Sequence, residues 1–176
     1  VLGRSFLLRQ FYVERTFSER VRLVVGRDFF PRGLNSDDHT GFLRSLSRQG
    51  VTDYPSQIRG EYTTDSLEVL SGFFGPSGEE NAAAREWGGF VRSEWKLLDL
   101  VSAGVNSSYG KSKTIGRFST DLFARGALNE NVGLLAALQW THRSVSSGSS
   151  FPQTVTFLEP FYQPLESLTL RYRFET

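Results

Sequence analysis

The chain has 176 residues, enough for one domain with a sizeable core, and its net charge of +1 gives no electrostatic case for nucleic acid as a partner. It has no cysteine, which excludes a disulfide framework, a thiolate metal site and a cysteine nucleophile, and its only histidines are His39 and His142. A hydrophobic content of 39% with 17 glycines and 14% aromatics suits many strands and turns around a thin apolar layer, and no apolar run is long enough for a transmembrane helix.

The chain opens on Val1, without a basic start followed by an apolar stretch, so it is expected to be either a protein whose signal peptide has been removed or an internal piece. The segment "FLLRQFYVERTF" (6–17) reads as a strand with polar residues on both faces. "RVRLVVGRDF" (20–29) sets Val21, Leu23 and Val25 against Arg20, Arg22 and Gly26, the period of two that marks a strand with unlike faces. A long connection follows, 29–55, in which Asp37 or Asp38 can cap a short helix with Phe42, Leu43 and Leu46 on one side and Arg44 and Arg48 on another. Asp37, Asp38 and His39 do not form a convincing metal site, because three adjacent helical residues cannot all point at one ion.

"SQIRGEYTT" (56–64) sets Ile58, Gly60 and Tyr62 against Gln57, Arg59, Glu61 and Thr63, and "SLEVLSGFF" (66–74) sets Leu67, Val69 and Phe73 against Ser66, Glu68 and Gly72. "EENAAAREW" (79–87) favours a helical turn by propensity. "FVRSEWKL" (90–97) returns to alternation, with Val91, Trp95 and Leu97 opposite Arg92, Glu94 and Lys96.

"GVNSSYGKSKTIG" (104–116) resembles a phosphate-binding loop, but Gly104 stands one position too early for that spacing. The motif also needs a helix next. Instead, Phe118, Thr120, Leu122 and Ala124 alternate with Ser119, Asp121, Phe123 and Arg125, a strand period. Gly104 to Ser108 are therefore expected to finish a strand, and the Gly, Ser and Lys residues that follow to form a water-exposed loop. Asn106-Ser107-Ser108 fits a glycosylation acceptor and reads here as a polar loop. In "VGLLAALQWTHR" (132–143), Val132, Leu134, Ala136, Leu138 and Trp140 share a face. "TVTFLEPFY" (154–162) is ambiguous, whereas "SLTLRYRFE" (167–175) alternates most regularly, with Leu168, Leu170, Tyr172 and Phe174 against Thr169, Arg171, Arg173 and Glu175.

About ten strands of about 8–12 residues result, longer than the usual soluble strand and suited to a tilted bilayer crossing of about 9–11 residues. Their connections alternate between short (17–20, 63–66, 97–99, 128–131, 163–166) and long (29–55, 75–89, 106–116, 143–152), as when tight turns lie on one side of a membrane and long loops on the other. Aromatics gather near strand ends, among them Phe17, Tyr62, Phe73, Trp87, Trp95, Tyr109, Phe118 and Trp140, and small residues such as Ala103, Ala124 and Ala136 share the apolar faces. No Gly-x-Ser-x-Gly elbow is present, so an enzyme is not expected.

The pattern of "SERVRLVVGRDFFPRGLN", "VGLLAALQWTHR" and "LTLRYRFE" resembles that of bacterial outer-membrane β-barrel proteins of the porin type. The resemblance implies an all-β, antiparallel up-and-down transmembrane barrel formed by residues 1–176, alone or as part of a larger barrel. It implies a location in the outer membrane, with the lipid bilayer and lipopolysaccharide as partners. A homo-oligomer or a partner protein in a larger complex is consistent with it, and no cofactor or metal is called for. Short first and last connections would leave both chain ends outside, unlike the family, so the chain is expected to be an internal piece of a larger barrel, completed by a strand at each end, or the count is off by one strand. Arg22, Arg59, Glu61, Arg92, Glu94, Lys96, Asp121, Arg125, Arg171 and Arg173 would then face a hydrated lumen and set selectivity. Asp37, Asp38, Arg44 and Arg48 would sit on a constriction loop folded inward, the alternative being an external surface loop with no role in the pore. The polar faces carry Arg20, Arg22, Arg59, Arg92, Lys96, Arg125, Arg171 and Arg173 against Glu61, Glu68, Glu94, Asp121 and Glu175, which suggests mild anion preference. A barrel that sheathes another protein, and a soluble β-sandwich binding module, are the alternatives.

Overall fold

Alternating apolar and polar residues can satisfy both surroundings only in an extended chain, and that pattern resolves into strands along the whole described sequence. The computed structural model describes residues 10–30, 55–76, 85–129, 131–165 and 168–176. The strands are Phe11–Ser18 (β1), Val21–Arg27 (β2), Ser56–Thr63 (β3), Leu67–Gly75 (β4), Trp87–Leu98 (β5), Val101–Lys111 (β6), Ile115–Asn129 (β7), Val132–Val145 (β8), Ser150–Leu165 (β9), Leu168–Arg171 (β10) and Phe174–Glu175 (β11). They lie in one antiparallel sheet in chain order from β1 to β10, with β11 also on β9. The fold is thus an all-β up-and-down sheet of ten strands, the tenth split into β10 and β11, with no helix among the described residues. The sheet is not closed into a barrel: among the described residues β1 pairs only with β2, and β10 only with β9.

The split in the tenth strand has a local cause. Tyr172 stands opposite Pro160 and donates its N–H to the Pro160 carbonyl at 3.2 Å. Proline has no N–H to return, so the ladder loses a rung between Arg171 and Phe174. The regular alternation of "SLTLRYRFE" gave no warning, because the fault lies in the neighbouring strand.

Two expected long connections are instead paired strand. β6 continues to Lys111 and β7 begins at Ile115, with Lys111 opposite Gly116, so only 112–114 turn. β8 likewise continues to Val145 and β9 begins at Ser150. The small and polar residues from Asn106 onward looked like loop, but they fill ladder positions beside large neighbours such as Phe90 and Arg117. Ser112 closes the turn, its Oγ accepting from the Ile115 amide at 3.0 Å. In the 146–149 turn Gly148 supplies a φ of +92°. Long connections remain at 28–55 and 76–86. Trp87, read as the end of a helical segment, instead opens β5.

Register places every second residue on a common face across the sheet. One face, here called inner, is buried along β2–β9, for example Val24, Gln57, Phe90, Asn106, Ser119, Gln139 and Val155. A flat single sheet would expose both faces equally, so the inner face is the concave one, where side chains of neighbouring strands crowd together. Its apolar core is small: Phe123, Ala137 and Phe157, with Leu135 packed against them. Phe123 fits because Gly104 stands opposite it. A Cβ at Gly104 would collide with the Phe123 ring and the Ser93 carbonyl oxygen. Gly104→Ala should therefore cost about 1–3 kcal/mol, read as a lowered denaturant midpoint with an unchanged slope.

Candidate functional site

The polar chemistry of the molecule is concentrated on the inner face. On β2 and β3, Glu61 accepts from Arg22 Nε at 2.6 Å and from Arg59 Nε at 2.7 Å. Arg59 also reaches Asp28 at 3.2 Å, and Arg22 reaches Glu14 at 3.2 Å. Alternation along β3 sends Arg59 and Glu61 to the same side, and pairing with β2 puts Arg22 directly opposite Glu61. The result is a chain of alternating charge from Asp28 to Glu14.

A second cluster spans β4 to β7. Arg92 donates to Glu68 at 2.6 Å and also to Glu94. Glu94 accepts from the Ser102 hydroxyl at 2.6 Å and pairs with Arg125 at 2.6 Å. The Arg92 guanidinium lies 5.0 Å from the centre of the Phe123 ring, so the cluster rests on the apolar core. A third cluster closes the far side, where Glu159, 1% exposed, holds Arg173 and stands 3.7 Å from Arg171. Arg173 lies 5.4 Å over the Phe157 ring.

The two ends of this face differ. At the end carrying the long connections, Phe30 packs edge-on against Phe74 and Phe90, each at 4.9 Å, and Glu86 pairs with Arg117. Stems of both long connections therefore fold over the inner face. At the opposite end a cavity of about 440 Å³ opens between the short turns, with Glu68, Glu94, Lys96, Ser102 and Arg125 among its lining residues. Lys96 there pairs with Asp99 at 3.2 Å.

All ten residues expected to face a lumen lie on this one face by register. Arg22, Arg59 and Glu61 come together, as do Arg92, Glu94 and Arg125, and Arg171 and Arg173 share Glu159. Asp121 stands apart, bonded to Asn106 at 2.8 Å. Arg59, Glu61, Arg92, Glu94 and Asp121 are all buried, the first four in ion pairs within their own clusters. Asp37, Asp38, Arg44 and Arg48 lie outside the described residues.

The sequence reading missed Glu14, Asp28, Glu86, Arg117, Arg143 and Glu159. Arg117 and Arg143 face each other on β7 and β8, in segments expected as loop or loop edge. Glu14 and Glu159 lie on the two strands whose phase was ambiguous, and Asp28 and Glu86 are loop stems. Among the described residues no group of three or more His, Asp or Glu side chains is placed to hold a metal ion, and no helix is long and apolar enough to cross a membrane. No family model matches the chain, and no curated protein or solved structure matches it either.

The outer face is the opposite in kind. Between Val21 and Tyr162 its ladder positions hold no acidic residue; its lysine and arginine residues, Arg27 and Lys111, are at strand ends, and His142 lies one ladder step beyond Trp140 toward the end with the long connections. Phe73, Trp87, Val91, Tyr109, Leu122, Leu138 and Leu158 are all exposed there.

Proposed function

We propose that the sheet is the wall, or part of the wall, of a transmembrane β-barrel in a bacterial outer membrane, acting as a narrow conduit for small ions and polar solutes. The observation that carries the reading is the contrast between faces: apolar residues exposed on the convex side, charges buried on the concave side. In a soluble fold the arrangement is inverted, because water rewards exposed charge and penalises broad exposed apolar surface. In a bilayer the same arrangement is the stable one.

Further features are consistent with it. β5 to β9 span 12, 11, 15, 14 and 16 residues, at least the length a tilted crossing requires. Tyr62 and Trp95 lie near one end of the outer face, and Phe73, Trp87, Tyr109 and Phe118 near the other, where girdles would meet lipid headgroups. An even number of up-and-down strands leaves β1 and β10 antiparallel to each other, so they can pair directly or through additional strands. Small barrels fill much of their interior with side chains, which fits the crowded inner face and a narrow passage.

Most inner-face charges neutralise one another, so selectivity falls to those held loosely or not at all. Arg143 has no acidic partner among the described residues, and the Arg125 side chain is 60% exposed. We expect mild anion preference. The test is reconstitution into planar bilayers under a salt gradient: small conductance steps with an anion-side reversal potential, shifted toward cations by Arg143→Glu. A clear cation preference in the unaltered protein would refute the selectivity. Membrane insertion without conductance would favour a structural or partner-binding barrel.

A further inference from the structure

Asp121 departs from the rule of the inner face. Glu14, Asp28, Glu61, Glu68, Glu94 and Glu159 each hold at least one guanidinium. Asp121 has no basic partner among the described residues, although it is only 5% exposed. Its Oδ2 accepts from Asn106 Nδ2 at 2.8 Å. Its Oδ1 and the Oδ1 of Asn106 are both buried with no hydrogen-bond partner. The two residues face each other across β6 and β7, so two unsatisfied acceptor oxygens belong to one cross-strand pair.

A buried carboxylate without a counter-charge is costly, and a second unsatisfied oxygen beside it adds to the cost. A cation would bring positive charge and take up lone pairs of both oxygens. Arg92, across from Asn106, is committed to Glu68 and Glu94, and with Arg125 these side chains form a charge-balanced group. On the other side of Asp121 stands Gln139, which is neutral. One ladder step toward the long-connection end, Ser119 Oγ and Thr141 Oγ1 lie 3.0 Å apart and add hydroxyl oxygens. The surroundings thus offer oxygen donors of carboxylate, amide and hydroxyl type with a single negative charge, the donor set of a hard cation.

We propose that Asp121 and Asn106 form a binding site for a monovalent hard cation, sodium or potassium, on the inner face. The site does not depend on whether the sheet lines a pore, and its test reads binding rather than conduction. A bound ion supplies the charge that Glu14, Asp28, Glu61, Glu68, Glu94 and Glu159 take from arginine. It also gives the Asn106 carbonyl oxygen a partner that no neighbouring side chain provides.

The experiment is thermal unfolding of the purified protein in detergent micelles, in sodium, potassium or N-methylglucamine chloride at equal ionic strength, with sodium-23 NMR line broadening as the direct readout. The unaltered protein should melt higher in sodium or potassium than in N-methylglucamine, and should broaden the sodium signal saturably. At a salt concentration ten times the dissociation constant, the folded-to-unfolded ratio should rise about elevenfold. Asp121→Asn, which keeps the shape and removes the charge, should abolish both effects. Should that variant not fold, Asn106→Ala retains the carboxylate and should weaken binding about tenfold, the worth of one charge-assisted contact. Glu14→Gln should leave the cation effects unchanged. Equal melting in all three salts, or undiminished broadening by Asp121→Asn or Asn106→Ala, would overturn the proposal and leave a buried water as the partner of the two oxygens.

Discussion

Leu122→Arg or Leu138→Arg should destabilise the folded protein in a lipid bilayer by about 2–4 kcal/mol, the cost of a cationic side chain on the lipid face near mid-depth. Leu122 and Leu138 face each other on β7 and β8, are 55% and 45% exposed, and lie in the middle of the apolar band. For a sheet surrounded by water the expectation is the reverse: an arginine replacing a half-exposed leucine changes stability by less than about 0.5 kcal/mol. Denaturant unfolding from liposomes separates the two. The same substitution near the band's edge, at Tyr109, should cost less, about 0–1 kcal/mol, because the side chain reaches the headgroups. This dependence on depth distinguishes a lipid-facing surface from a general intolerance of charge.

Glu61→Gln should be the most damaging of the conservative inner-face changes, lowering stability by about 3 kcal/mol. Glu61 is 7% exposed and receives both Arg22 and Arg59. Glutamine keeps the shape but removes the charge that permits two guanidinium groups to be so close. Arg59, itself buried, is left with Asp28 alone. Glu14→Gln offers the contrast: its pair with Arg22 has both side chains nearly half exposed, and its loss should cost below about 1 kcal/mol. Equal losses from the two variants would mean that the inner face is hydrated and the chain of charges contributes little.

Strand alternation carried most of what the sequence could say. In "SQIRGEYTT" and "FVRSEWKL" the polar and apolar sets fall on the two faces that the register shows, because a residue and its second neighbour necessarily share a side. The limits of the strands were harder to read. Gly110, Ser112 and Lys113 look like loop residues, and composition cannot reveal that Gly110 is paired with Arg117 across β7. Partnership was the least legible. That Glu159 gathers Arg171 and Arg173 depends on the register of β9 against the split last strand, which alternation within either strand does not encode. Asp121 appeared in the sequence as one more lumen acid. Only the structure shows that its neighbour across β6 is an asparagine and that no guanidinium among the described residues pairs with it.

The central claim, lipid on one face and a packed polar interior on the other, is open to a direct measurement because the chain contains no cysteine. Single cysteines introduced from position 118 to 125 along β7, each carrying a nitroxide spin label, can be compared in reconstituted liposomes for collision with oxygen and with a water-soluble nickel chelate. Labels at 118, 120, 122 and 124 should favour oxygen, and labels at 119, 121, 123 and 125 should show the lower oxygen accessibility of a packed, polar interior. A period of two in the oxygen signal, peaking near Leu122, is the predicted result. Free access of the nickel chelate to positions 120, 122 and 124 in the presence of lipid would contradict the account.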